Sequence, residues 1–157
     1  MEDVMSDATK NEGGKQKHAF ITSRGTLDGA MPALVMALNS RRLGNDATIF
    51  YTFMGMDVIR PGGIEKLKFY PEGTMGAIPG MPHLATSMMK KWMNEANIPD
   101  AAEMFEMAQL EGVKFVACHM TMSMMKLKQE DFVEGVEVWT AEEFIKYASQ
   151  CDLCLFT

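Results

Sequence analysis

The chain has 157 residues, of which 47% are apolar and 23% charged, as in an ordinary globular domain. Its net charge of −6 argues against nucleic acid as a partner, because phosphate backbones bind basic surfaces. No apolar run approaches the ~20 residues of a membrane-spanning helix, and three cysteines do not fit a secreted disulfide framework. We therefore expect a cytoplasmic protein that does not insert into membranes. Residues 1–16 are polar and aperiodic, which predicts a flexible tail before a single domain at 17–157.

The domain begins with a pattern typical of a βαβ unit. A short apolar strand is predicted at residues 18–22, and a turn follows at 23–26. Apolar residues then recur every three or four positions over 27–38, which indicates an amphipathic helix. Residues 47–53 are β-branched and aromatic, which predicts a second strand. A strand, a helix and a strand in so short a stretch imply a parallel pair joined by a right-handed crossover.

The second half of the chain continues the alternation of strands and helices. Residues 71–82 are rich in glycine and proline yet carry apolar side chains, which is typical of a lid or a partner contact. The remaining elements are predicted as helices at 84–97 and 101–111, a strand at 113–117, a short helix or turn at 119–126, a strand at 136–139, a capped helix at 140–149 and a strand at 152–156. The sequence therefore predicts a three-layer α/β domain with a mainly parallel sheet of about five strands.

Cys118 is the leading candidate for chemistry. It follows the predicted strand at 113–117, and ligands of parallel sheets bind at the carboxyl ends of the strands. If residues 119–126 form a helix, its free N–H groups and dipole would favour the thiolate, which can attack sulfur or hold it as a persulfide. The alternative is that Cys118 is an inert core residue, since free cysteine is among the most buried residue types.

Two histidines and one turn are weaker candidates for the same site. His119 adjoins Cys118, but adjacent residues of a strand face opposite ways, so the two side chains need not touch. His83 lies in the predicted Gly/Pro loop, where it is either solvated or able to reach Cys118 as a donor or base. Gly25 and Thr26 belong to the first strand-to-helix turn, where an anion could bind, although any βαβ unit needs a turn there.

The other two cysteines are predicted to pack. Cys151 and Cys154 have CxxC spacing, but they straddle a predicted terminal strand, where residues three apart face opposite ways. One CxxC pair is not a four-ligand zinc site, and no other ligand cluster has metal spacing, so we predict no metal and no cofactor.

The 17 methionines are concentrated at residues 54–56, 75–93 and 120–125. Methionine adapts to irregular packing, so we interpret these clusters as core, lid or interface rather than as a soft-metal site. Met120 and Met122 are predicted to line a pocket beside Cys118.

The stretch Cys118-His-Met-Thr-Met-Ser-Met-Met125 resembles the Cys-x-Met-Ser-Met-Asp-x-Met-Gly stretch of the DsrE/DsrF-like family. The likeness is closest to a branch sometimes labelled peroxiredoxin-family. Gly80-Met81-Pro82 before a helix rich in Met and Lys, and Gly112-Val113-Lys114 before the cysteine strand, are similar to the same family. The resemblance covers residues 17–157.

This resemblance implies a flavodoxin-like α/β fold, homo-oligomers and sulfur relay through a Cys118 persulfide. The partners would be small sulfur carriers of the TusA type or rhodanese-like proteins. Thr121 keeps the hydroxyl of the family's serine and is counted with the pocket. Ser123 and Lys126 replace an aspartate and a glycine, which changes the charge and the loop geometry near the cysteine.

Three hypotheses follow. In the first, the protein is a sulfur carrier or sulfurtransferase that binds sulfane sulfur on Cys118 and passes it to a partner thiol. In the second, it is a non-catalytic binding or assembly module that uses a Met-rich surface. In the third, it is a thiol peroxidase, which would require an acidic thiolate that turns over peroxide.

Overall fold

The computed structural model of the protein describes residues 14–157, so the predicted tail falls largely outside the described residues. Five parallel strands form one sheet in the order β4-β3-β2-β1-β5. The strands are β1 (Lys17–Thr22), β2 (Asp46–Tyr51), β3 (Lys114–Cys118), β4 (Glu137–Trp139) and β5 (Leu153–Phe156). Flavodoxin itself has the order 2-1-3-4-5. The present chain shares the layers of that fold and has its own strand order.

Six α-helices connect the strands. They are α1 (Leu27–Arg42), α2 (Gly63–Lys66), α3 (Met81–Glu95), α4 (Ala101–Leu110), α5 (His119–Met125) and α6 (Ala141–Ala148). Short 3₁₀ helices occur at Phe53–Ile59, Gly73–Ala77 and Gln129–Asp131. The segment predicted as a Gly/Pro loop is therefore partly helical: α3 begins at Met81, because Pro82 has a fixed φ that suits a first helical turn.

The direction of each crossover decides which face of the sheet its helix covers. Strands β1 to β4 follow one another in one direction across the sheet, whereas the connection from β4 to β5 runs back over the other strands. Because such crossovers are right-handed, α1 and α4 cover one face and α6 covers the opposite face. The three layers that the sequence predicts are thus a consequence of strand order.

Aromatic pairs show the two faces directly. On the α4 side, the rings of Phe105 and Phe115 stack with centroids 4.8 Å apart. On the α6 side, Phe144 stacks on Phe50 with centroids 4.2 Å apart. Since side chains alternate along a strand, the residues of β3 that face α6 include Cys118.

The outer edge of β5 is apolar and exposed. Among residues 14–157 this strand pairs with β1 alone, and the sequence Leu-Cys-Leu-Phe places no charge on it. Phe156 is 67% exposed, and Leu153 and Leu155 are also exposed. Natural sheets usually protect such an edge with charge, proline or a covering element. Within residues 14–157, no helix is long and apolar enough to cross a membrane.

Candidate functional site at the carboxyl edge of the sheet

Cys118 is the last residue of β3 and the N-cap of α5. It is a free cysteine and only 3% exposed. Trp139, the last residue of β4, lies beside it in register, so the indole and the thiol share the face that α6 covers. The sequence correctly predicts that Cys118 stands at the end of this strand. Its sulfur, however, is buried on the face of the sheet that α6 covers and is not open to solvent at the carboxyl edge.

The helix after Cys118 is fixed to the end of β2 by a buried threonine. The Thr121 hydroxyl accepts a hydrogen bond from the Phe53 N–H at 3.2 Å and lies 3.1 Å from the Thr52 hydroxyl. Phe53 has a φ of +45°, which is rare for a residue with a side chain. Thr121 therefore holds both α5 and an unusual turn, and this sets the position of Cys118.

His119 is the first residue of α5, and it lies close enough to the first turn of α6 to influence Glu143. Its side chain is exposed, and Ser123 donates a hydrogen bond to its carbonyl oxygen at 3.1 Å. Hydrogen bonds from the Thr140 N–H and hydroxyl lower the pKa of Glu143, and the nearby His119 lowers it further.

The methionines predicted for the pocket divide between core and surface. Met122 is buried, whereas Met120 is 61% and Met124 is 58% exposed. Phe53 and Met54, which adjoin α5 through the Thr121 hydrogen bond, are also exposed. We call these four exposed residues (Phe53, Met54, Met120 and Met124) the methionine face. Cys118 directly precedes the helix that carries half of it.

Gly25 and Thr26 have clear structural roles in the first strand-to-helix turn. The Thr26 hydroxyl caps α1 by accepting a hydrogen bond from the Gly29 N–H at 3.3 Å. A Cβ atom on Gly25 would lie 2.5 Å from the carbonyl oxygen of Met54, so only glycine fits there. Gly25 also lines a cavity of about 480 Å³ whose charged residues are Asp57, Arg60, Lys66, Glu130 and Asp131. Among residues 14–157, its lining includes Gly25 but neither Thr26 nor Cys118.

His83 does not join the Cys118 site. It lies in the first turn of α3, not in a loop, because that helix starts at Met81. Its Nε2 atom is 3.1 Å from the ammonium group of Lys68, and it lines a separate basic cavity. Of the residues described, Cys118 is not part of that lining. The prediction that His83 reaches Cys118 is therefore not supported, because α3 directs it toward the segment after α2.

The two cysteines of the CxxC pair differ in exposure. Cys151 is half-buried and donates a hydrogen bond to the Tyr147 carbonyl oxygen at 3.4 Å, and burial raises the pKa of its thiol. Cys154 is exposed on the edge strand β5, so the prediction that it packs is wrong. In the described part of the chain, no group of three His, Cys, Asp or Glu side chains is placed to hold a metal ion.

The model of the DsrE/DsrF/DrsH-like family matches residues 14–156, which is most of the chain. The chain belongs to this family. It is 30% identical to the sulfur carrier protein DsrE2 of Allochromatium vinosum, with 90% of this chain and 98% of that protein covered. It is 29% identical to the uncharacterized protein YrkE of Bacillus subtilis, over 90% and 96% of the two chains. The ychN protein of E. coli has a similar fold, with a TM-score of 0.57 at 14% identity over 90% and 99% of the chains.

The backbone at Lys126 shows why the resembling family motif has glycine at this position. This residue ends α5 with a φ of +54°, the left-handed conformation that glycine adopts without steric cost. The family pattern has glycine there, so the lysine keeps the turn while accepting some strain.

Sequence reasoning missed three residues that shape the site: Thr52, Trp139 and Glu143. Trp139 and Thr52 carried a usable signal, because each stands at the end of a predicted strand and parallel strands end at one edge. Glu143 carried none, since the packing of α6 over β3 depends on the strand order of the whole sheet.

Proposed function

We propose that this DsrE-family chain carries sulfane sulfur as a persulfide on Cys118 and passes it to the thiol of a partner. The observation that carries the proposal is the placement of Cys118, a free cysteine between a buried strand and α5, under an exposed apolar face. The likeness to a sulfur carrier protein over nearly the whole chain supports the same role.

The reaction is a pair of thiolate displacements. The Cys118 thiolate attacks the outer sulfur of a donor such as thiosulfate, the S–S bond of the donor breaks, and sulfite leaves with the electron pair. The product is a Cys118 persulfide. A partner thiolate then attacks the terminal sulfur, and Cys118 leaves as a thiolate. No net oxidant is consumed, and each attacking group must be a thiolate.

The burial of Cys118 suits a carrier better than a free-standing catalyst. A thiol that is 3% exposed is shielded from water and oxidants between reactions. Loading and unloading then require a local displacement of α5 or α6. Because such a displacement is promoted by a docked partner, transfer would depend on contact with that partner.

The methionine face is the surface that we assign to the partner. Its four side chains are apolar, exposed and adjacent to the reactive cysteine, and methionine adapts readily to different surfaces. A small sulfur carrier of the TusA type or a rhodanese-like protein would bring its own thiol to this edge. The proposal also requires a reducing compartment such as the cytoplasm, since all three cysteines are free.

Intact mass spectrometry tests the chemistry. The reduced protein is incubated with thiosulfate or polysulfide, and we expect a mass gain of one or more sulfur atoms that dithiothreitol removes. With tetrathionate, thiosulfate is the leaving group, so the expected adduct is a thiosulfonate, which dithiothreitol also removes. Cys118→Ser should abolish the adduct, whereas the exposed-thiol control Cys154→Ser should retain it. No adduct with any donor, or an adduct that persists in Cys118→Ser, would refute the proposal.

The second candidate function is an assembly module of the same fold. The observation that favours it is the exposed apolar edge of β5, which is suited to pairing with a second copy. Size-exclusion chromatography of Cys118→Ser distinguishes the two candidates. If the variant keeps every measured interaction and the wild type forms no sulfur adduct, assembly is the function.

A further inference from the structure

A basic cavity lies on the face of the protein beside α3. Its volume is about 500 Å³, and it is bounded by the segment 65–68 on one side and by α3 on the other. Its lining includes the polar or basic side chains of Lys66, Lys68, His83, Ser87 and Lys90. The site is separate from Cys118 and from the function proposed above.

The walls of the cavity are tied together by buried hydrogen bonds. Residues 83, 87 and 90 of α3 are spaced by four and three positions, so they share one face of the helix. The Thr86 hydroxyl accepts a hydrogen bond from the Phe69 N–H at 2.8 Å and donates one to the Pro82 carbonyl oxygen at 2.6 Å. The backbones of the two walls are therefore joined by the hydrogen bond between Phe69 and Thr86 before any ligand binds.

The lysines of this cavity differ from most others in the chain. Five lysines elsewhere lie within 3.7 Å of a carboxylate oxygen: Lys15, Lys91, Lys114, Lys128 and Lys146. Among the described residues, Lys66, Lys68 and Lys90 have no such partner, and the Lys68 ammonium group instead donates to the Nε2 atom of His83 at 3.1 Å. Glu65 is the carboxylate in the lining. Lys66 also lines the cavity that contains Asp57, Glu130 and Asp131, so Lys68 and Lys90 are the clearest cationic groups of this site in a chain with a net charge of −6.

We propose that this cavity binds a small multivalent oxyanion, a compound that carries phosphate or sulfo groups. Ammonium groups are point-charge donors to such oxygens, and three of them compensate several negative charges at once. The Ser87 hydroxyl and the His83 imidazole supply further polar contacts. The cavity is larger than a single phosphate, so a ligand with two anionic groups fits it better than inorganic phosphate does.

The first test is isothermal titration calorimetry of the full chain at low ionic strength. The titrants are inorganic pyrophosphate, inorganic phosphate and sulfate. We expect pyrophosphate to bind, phosphate and sulfate to bind more weakly, and added salt to weaken all three. A response to sulfate as strong as that to pyrophosphate would overturn the proposed preference for a ligand with two anionic groups. No heat of binding with any of the three anions would overturn the proposal.

Matched variants locate the binding. Lys68→Gln and Lys90→Gln should each weaken pyrophosphate binding by about fivefold or more, on the scale of one exposed charge–charge contact. The control is Lys126→Gln, which removes an exposed lysine outside the cavity and should leave the affinity unchanged. The imidazole NMR signals of His83 should shift during the titration. Equal affinities in all three variants, or an unmoved His83, would refute the assignment.

A last measurement separates this site from the cysteine chemistry. Cys118→Ser should bind pyrophosphate as the wild type does, because Cys118 is not part of the cavity. The surface variants should also keep the circular dichroism spectrum and the midpoint of thermal unfolding of the wild type. A loss of binding in Cys118→Ser would show that the two sites are one and would overturn the inference.

Discussion

Thr121 is the residue whose replacement tests the site geometry most directly. Thr121→Val keeps the β-branched shape of a side chain that is fully buried and removes its hydroxyl. The Phe53 N–H then loses its acceptor, and the Thr52 hydroxyl loses its neighbour. A lost hydrogen bond lowers stability by about 1 kcal/mol, and a buried donor left without a partner costs about 1–3 kcal/mol. Burial of the new methyl group recovers up to ~0.8 kcal/mol.

We therefore expect Thr121→Val to lower the free energy of unfolding by about 1–3 kcal/mol in urea denaturation. The Phe53 amide should exchange with solvent deuterium much faster than in the wild type, because its hydrogen-bond acceptor is gone. The matched control is Thr121→Ser, which keeps the hydroxyl and should protect the Phe53 amide. If Thr121→Val were as stable as the wild type with an equally protected Phe53 amide, the anchoring role of Thr121 would be wrong.

Three further predictions follow from other parts of the structure. Tyr51 is fully buried, its hydroxyl has no partner among the described residues, and burial raises its pKa. Tyr51→Phe should therefore raise the free energy of unfolding by about 1 kcal/mol. It should also reduce the loss of stability that begins above the pKa of about 10 of an unfolded tyrosine, which denaturation at pH 8 to 11 would measure. Gly25→Ala should cost about 1–3 kcal/mol through overlap with the Met54 carbonyl, whereas Gly14→Ala, in open space, should be neutral in thermal unfolding. If β5 edges of two copies pair, mild oxidation should yield a disulfide-linked dimer on non-reducing gels that is absent from Cys154→Ser; a dimer that survives this substitution would exclude the β5 edge.

The order of elements could be predicted from the sequence because it rests on local patterns. The β-branched run of β2 and the apolar periodicity of α1 are each encoded within a few residues. Cys118 was found in the same way, since the end of a buried strand is visible in the sequence. Its side-chain direction was not, because it depends on the register of β3 against both neighbouring strands.

His83 shows why the rest could not be predicted. The Gly/Pro-rich composition before it suggested a loop, but Pro82 favours a first helical turn as much as it favours a loop. The start of α3 then fixed the direction of the imidazole toward Lys68, a residue 15 positions earlier in the chain. Such contacts depend on how α3 packs against the segment after α2, which no local pattern records.

The two helices that enclose Cys118 differ in how firmly they are held, and this difference bears on sulfur transfer. Helix α5 has two buried residues, Thr121 and Met122, whereas Phe144 is the only residue of α6 that is buried among those described. The half-buried Tyr147 adds a hydrogen bond to Thr48 at 2.9 Å. Regions with few buried apolar contacts open at lower free energy than well-packed ones. Because the thiol faces α6, displacement of α6 would expose the sulfur while α5 keeps the cysteine in place. Under the proposed persulfide chemistry, α6 would be the helix that opens over the sulfur, and α5 the helix that keeps the cysteine in position.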